Sequence, residues 1–102
     1  MPGGSITNAS TYYPDANGYR TKPKASNANC HLHLDGTFST ATITVEFLGD
    51  DSLGAGADGW MPITDASWTA DVDEILNFAN PTRVRIKQTG ADGSTAIDYS
   101  LS

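Results

Sequence analysis

Two histidines two positions apart, His31 and His33, with Asp35 in line behind them, are the residues of this chain best suited to chemistry. On a strand, the two-residue period sets all three on one face, where two imidazoles and a carboxylate make half of a zinc site. A structural zinc needs a fourth ligand and a closed shell, so a solvent-washed strand face is the simpler expectation, with a metal shared between chains as the sharper alternative. Cys30 precedes His31 directly, but the same alternation turns the two side chains to opposite faces and denies them a nucleophile–base pair. Cys30 is then expected to be a small buried hydrophobe. No serine elbow occurs, and spacing singles out no pair among the 12 carboxylates. The expectation is a protein that is not an enzyme and uses no cofactor and no metal.

Three further patterns have plain explanations. Gly54-Ala55-Gly56-Ala57-Asp58-Gly59 has the spelling of a phosphate-binding turn, but Trp60 and Pro62 follow it where a helix would have to start. Asp50, Asp51 and Asp58 lack the alternating acids and terminal Glu of a calcium loop, so residues 49–59 read as a flexible acidic connection. Trp60 and Trp68 could stack on sugars, which would make the chain a carbohydrate-binding module with both rings on one plane, but core positions are the expectation for them. Arg83, Arg85 and Lys87 form an outward ladder, expected to face Glu46, Asp98 or Asp35 across neighbouring strands.

The elements that carry these residues are strands. Cys30, Leu32 and Leu34 alternate with the histidines until Gly36, where the strand is expected to break. Ala41, Ile43, Val45 and Phe47 alternate with Thr40, Thr42, Thr44 and Glu46, the clearest two-sided strand in the chain and a sign of an antiparallel sheet. Short strands are expected at 60–63 and 67–69, with Pro62 suiting a sheet edge. Residues 71–79 are ambiguous: Asp71 with Glu74 resembles a helix capping box, yet the length between turn signals suits a turn and a strand, which is favoured. Thr82–Gln88 buries Val84 and Ile86, and Ser94–Ser102 buries Ile97, Tyr99 and Leu101; the Gly90-Ala91-Asp92-Gly93 turn suggests a hairpin between them. Six or seven short strands define an all-β fold, a small antiparallel sandwich of immunoglobulin-like or jelly-roll-like type.

Ahead of that body lies a segment of different chemistry. Residues 1–28 hold Arg20, Lys22 and Lys24 against Asp15 alone, about +2, whereas residues 29–102 hold three basic residues against 11 acids, about −8. The segment has no apolar period and reads as an extended N-terminal arm with one turn, followed by a β-sandwich domain at 29–102. An arm of this composition cannot order itself, so a partner protein is expected to hold it, with Tyr12, Tyr13, Tyr19, Arg20, Lys22 and Lys24 as the contact residues. A net charge of −6 argues against nucleic acid as a partner. No run approaches the roughly 18 apolar residues of a membrane span, and the first residues lack the pattern of a signal peptide, so cytoplasmic synthesis without a membrane partner is expected.

From Gly36 onward, the order Gly36-Thr37-Phe38, Ala41-Thr42-Ile43-Thr44-Val45, Gly59-Trp60-Met61-Pro62-Ile63, Thr82-Arg83-Val84-Arg85-Ile86, Thr89-Gly90 and Gly93-Ser94-Thr95 resembles small β-sandwich structural proteins of tailed bacteriophage virions. The resemblance covers about two thirds of the chain and lies in turns and alternating strands. It implies a virion protein made in the host bacterial cytoplasm. The extended terminus favours capsid decoration, or cement, over a tail, baseplate or fibre-attachment part. The partner implied is the major capsid protein or another virion protein, and a homo-oligomer is expected.

Overall fold

The computed structural model describes residues 3–14, 18–24, 27–48, 59–78 and 82–102. Among them the chain is all-β, with two antiparallel five-stranded sheets packed as a small sandwich. The strands are β1 (Gly3–Ile6), β2 (Tyr12–Tyr13), β3 (Tyr19–Arg20), β4 (Lys22–Lys24), β5 (Asn27–Thr37), β6 (Thr42–Leu48), β7 (Trp60–Trp68), β8 (Val72–Phe78), β9 (Arg83–Thr89) and β10 (Ala96–Leu101).

Sheet I is organised by β5, the longest strand. One of its flanks pairs with β10 over residues 32–37 and with β4 over residues 27–29, and the other pairs with β8. Strand β1 adds to the far side of β10. Sheet II is organised by β9 and β6: β7 closes the β6 side, while β2 and β3 lie end to end along the other flank of β9. The expected alternation holds in both. Leu32, Leu34, Ile97 and Leu101 of sheet I meet Ile43, Val45, Val84 and Ile86 of sheet II in one core, all fully buried, and Cys30 lies among them. Burial raises the Cys30 thiol to about 11, so it stays protonated and inert, as a core residue should.

Several expectations change in the folded chain. The last two strands do not form a hairpin: β9 is in sheet II and β10 in sheet I. Alternation looks the same whether two strands lie side by side or face each other across a core, so the pattern could not separate these arrangements. The crossover is set by the turn. Asp92 accepts hydrogen bonds from Ser39 Oγ (2.8 Å) and the Ser94 N–H (2.8 Å), and Thr40 Oγ1 donates to the Gly90 carbonyl. The β5–β6 and β9–β10 crossovers are thereby tied together. These donors, the Ser39 hydroxyl first, hold the Asp92 carboxyl below its usual value.

Gly36 does not end its strand. It continues β5 to Thr37 with φ at 131°, where a Cβ would stand 2.3 Å from the Ala96 carbonyl oxygen, so only glycine fits so close to β10. The two short strands expected at 60–63 and 67–69 are one strand, β7, at a sheet edge as Pro62 requires; its register against β6 shifts near Thr44 and Glu46, and Asp65 has positive φ. Residues 72–78 are strand β8, and Asp71 accepts a hydrogen bond from the Gly36 N–H in place of capping a helix.

The segment expected to be an arm held by a partner is paired along its own body. From β1 at the rim of sheet I the chain crosses to sheet II, where β2 and β3 line β9, and returns as β4 to sheet I. Ile6 and Tyr13 join the common core, and the Tyr13 ring meets Tyr99 edge-on at 5.7 Å. The Tyr13 hydroxyl donates to the Thr7 carbonyl and accepts from the Thr7 N–H, both at 3.1 Å. Thr21 and Thr82, both buried, bond to each other through backbone and side chain. The sequence signal that was missed is slight: one isolated isoleucine, with no period around it.

Ile6→Ala is therefore expected to cost about 2–5 kcal/mol, the range for a truncated core aliphatic. A denaturation midpoint within error of the wild type would show that the segment adds nothing to the core. For the same reason, deleting residues 1–28 is expected to abolish cooperative unfolding rather than leave a folded body.

Candidate interaction surfaces

The two outer faces differ in chemistry. On sheet II the residues between the buried ones of β9 are Arg83, Arg85 and Lys87, each half-buried. The register brings Arg20 of β3 opposite Arg83 and Tyr12 of β2 opposite Lys87, while Glu46 of β6 lies opposite Arg85. The Arg85 guanidinium is held between two rings, 3.9 Å from the Tyr12 centroid and 4.2 Å from the Trp60 centroid. Its Nε donates to Glu46 Oε1 at 2.8 Å, and the pair is only 11% and 13% exposed. A planar, weakly hydrated guanidinium suits such a stack, and the ion pair removes its charge cost. Glycine at 18 is what lets the indole lie there, because a Cβ would come within 2.7 Å of the Trp60 ring. Opposite Trp60 in the ladder stands Leu48, buried but outside the main core.

The outer face of sheet I gathers carboxylates and histidines. His31, His33 and Asp35 lie on it as the period requires, and Asp73 of β8 reaches across to both imidazoles. Asp73 Oδ1 is 2.5 Å from His31 Nε2 and 3.3 Å from His33 Nδ1, while His33 Nε2 is 3.3 Å from Asp35 Oδ2. Asp98, opposite Asp35, accepts from Ser5 at 3.4 Å. Asp35 and then Asp73 raise the His33 pKa above its usual 6.5. The hydrogen bonds from His31 and then His33 lower that of Asp73 below 3.8. The cluster is an exposed network of two imidazoles and two carboxylates, and among the described residues no group of three or more His, Cys, Asp or Glu is arranged to hold a metal.

The residues expected to contact a partner are dispersed by this architecture. Tyr13 is in the core, and Tyr19 is half-buried and packs against it. Tyr12 and Arg20 are on the sheet II face, Tyr12 stacked on Arg85 and Arg20 exposed. Lys22 and Lys24 belong to β4 in sheet I. Of the basic ladder, Arg85 does meet Glu46, whereas Asp35 and Asp98 lie on the other sheet. The tryptophans share no platform: Trp68 packs against the core as expected, but Trp60 covers Arg85 on the outside. Asp50, Asp51, Asp58 and most of the 49–59 loop lie outside the described residues. At one end of the sandwich an open cleft of about 470 Å³ is lined by Gly36, Phe38, Ser39 and Thr69–Asp71, and its carboxylate, Asp71, is engaged by the Gly36 N–H.

These features define the class: a small two-sheet antiparallel β-sandwich with arginine and aromatic rings on one outer face and carboxylates with histidines on the other. In comparisons with known proteins, no family model, no curated protein and no solved structure matches the chain.

The histidine cluster predicts a pH signature. With its folded pKa raised, His33 contributes stability that is full below pH 6.5 and fades as pH rises through the folded value. With its folded pKa lowered, Asp73 contributes stability that is full above pH 3.8 and fades as pH falls through the folded value. Thermal melts of His33→Asn are thus expected to fall furthest below wild type between pH 3.8 and 6.5 and to converge with it as pH rises through the raised folded value of His33. A difference that does not vary with pH would remove the network from the stability of the fold.

Proposed function

We propose that the chain is a structural protein of a tailed-phage virion, a decoration (cement) protein that binds the outer surface of the assembled head through the outer face of sheet II. The observation that carries the proposal is charge segregation. In a chain of net charge −6, Arg20, Arg83 and Lys87 gather on one face around the Arg85–Glu46 pair with Tyr12 and Trp60, and the carboxylates Asp35, Asp73 and Asp98 lie on the opposite one. Arginine with aromatic rings is the composition of interface anchors, and a sheet presents them without an ordering cost. The partner of such a face is an acidic, repeating surface on the major capsid protein or another virion protein. The face of carboxylates and histidines would then point to solvent.

The mechanism is mass action. A module that binds only the assembled lattice stabilises it by the logarithm of its occupancy and needs no chemistry of its own. The sandwich supports this use because its N-terminal segment is spent on closing its own edges, leaving a compact block whose contact face is preformed.

The test is the number of copies per purified particle, measured by quantitative mass spectrometry against the major capsid protein. Hundreds of copies in simple ratio are expected; a dozen or fewer would move the protein to the tail, baseplate or a fibre attachment, and none would end the virion reading. Binding to undecorated particles is expected to weaken with salt and to fall at least about tenfold in the Arg20→Glu/Lys87→Glu variant. Unchanged affinity would place the contact on another face.

A further inference from the structure

The two sandwich borders are finished differently. Along the flanks of β10 and β9 the N-terminal segment runs between the sheets and adds the short strands β1, β2 and β3. At the other border β7 and β8 are each paired on one flank only among the described residues. The large exposed hydrophobic side chains described are both there: Ile75 on β8, 61% exposed, and Met61 on β7, 54% exposed. We infer that β8 pairs with β8 of a second copy about a twofold axis at Ile75, joining two sheets I into one continuous sheet.

The hydrogen-bond phase fixes which backbone groups face outward. His31 exchanges both of its backbone bonds with Ser102, at 2.8 and 3.1 Å, on the flank of β5 away from β8. In an antiparallel ladder a residue's N–H and C=O point to the same side. His31 therefore gives none to β8, and its neighbour across the ladder, Ile75, turns its own N–H and C=O to the free edge. The two-residue period extends this to Asp73 and Asn77. The edge thus offers three donors and three acceptors in phase over the length of a short strand.

The side chains select the partner and the register. Twofold axes at residues 73 to 77 bring those groups face to face, but an axis at 74 sets two Glu74 carboxylates opposite each other and an axis at 76 shortens the overlap. An axis at 73 sets two Asp73 carboxylates opposite each other, which is unfavourable, and an axis at 77 shortens the overlap. An axis at 75 makes six backbone bonds and pairs Val72 with Phe78, Asp73 with Asn77, Glu74 with Leu76, and Ile75 with Ile75. No like charges meet, and the exposed isoleucines cover each other. Glu74, a charge at a core-side position on an edge strand, is the type of residue that discourages indiscriminate edge pairing, and here it faces an apolar neighbour. The inference rests on β8 alone and not on the virion reading.

Sedimentation at about 0.1 mM chain is expected to show a dimer that strengthens with salt, because two copies of net charge −6 repel each other. That dependence is opposite in sign to the one expected for the basic face. Ile75→Pro removes a donor aimed away from β5, so the fold is expected to persist by near-ultraviolet circular dichroism while the dissociation constant rises at least about tenfold. Ile75→Lys, which keeps the donor and sets two ammonium groups face to face, is expected to do the same. In the wild type the amides of Asp73, Ile75 and Asn77 should be protected from hydrogen exchange and lose that protection on dilution. A wild-type monomer at this concentration, an oligomer that survives both substitutions, or free exchange at these three amides in the dimer would each overturn the inference.

Discussion

Everything in this fold depends on the pairing of residues 3–21 with the outer flanks of β10 and β9. A domain of this size buries a small share of its surface, and strands β5–β10 alone would leave β9 and β10 as open edges in addition to β7 and β8, and a core missing Ile6 and Tyr13. One irregular segment meets both needs. It adds β1 to sheet I, lines β9 with β2 and β3, and sends two side chains inward on the way. The Thr21–Thr82 bonds and the Gln88 N–H donated to the Thr11 carbonyl satisfy backbone groups that would otherwise be buried without partners.

That closure also organises the charged surface. Tyr12 reaches Arg85 only because β2 is paired to β9, and Gly18 in the same segment leaves room for the Trp60 ring. The guanidinium is therefore fixed by groups from three distant parts of the chain, with Glu46 as its counter-charge. Across the sandwich, Asp73 binds two histidines because β8 is paired to β5 in the one register that brings them level. In both cases the polar arrangement is a product of strand pairing, and its rigidity comes from the sheet beneath.

What the sequence disclosed follows the range of each signal. Two-residue alternation assigned faces correctly in β5, β9 and β10 and in β6 as far as Val45, including Cys30 in the core and both histidines outside, because burial of one face is a local matter; at the end of β6 Leu48 is buried and Phe47 only half so. It carried no information about which strand neighbours which, and so β9 and β10 read as a hairpin when they lie in opposite sheets. Asp73 as the partner of His31 and His33 was hidden for the same reason. Trp60 misled because its bulk suggested the core, whereas a cation and a glycine made a place for it outside. The N-terminal segment was least legible: Ile6 and Thr21 are buried singly between polar neighbours and Tyr13 between Tyr12 and Pro14, and single burials have no period to detect.

The union of β1 with β10 sets an order of events for biosynthesis. Ile6 lies opposite Ile97, so the first strand emerges from the ribosome about 90 residues before its neighbour exists. At roughly 5–20 residues per second that is a wait of roughly 5–20 s with an unpaired strand. The segment Gly3-Gly4-Ser5-Ile6, with one apolar side chain, is poorly suited to sticking to anything during that interval. The weak pattern that made this stretch look like a tail is thus also what lets it remain harmless until the final strand has been made.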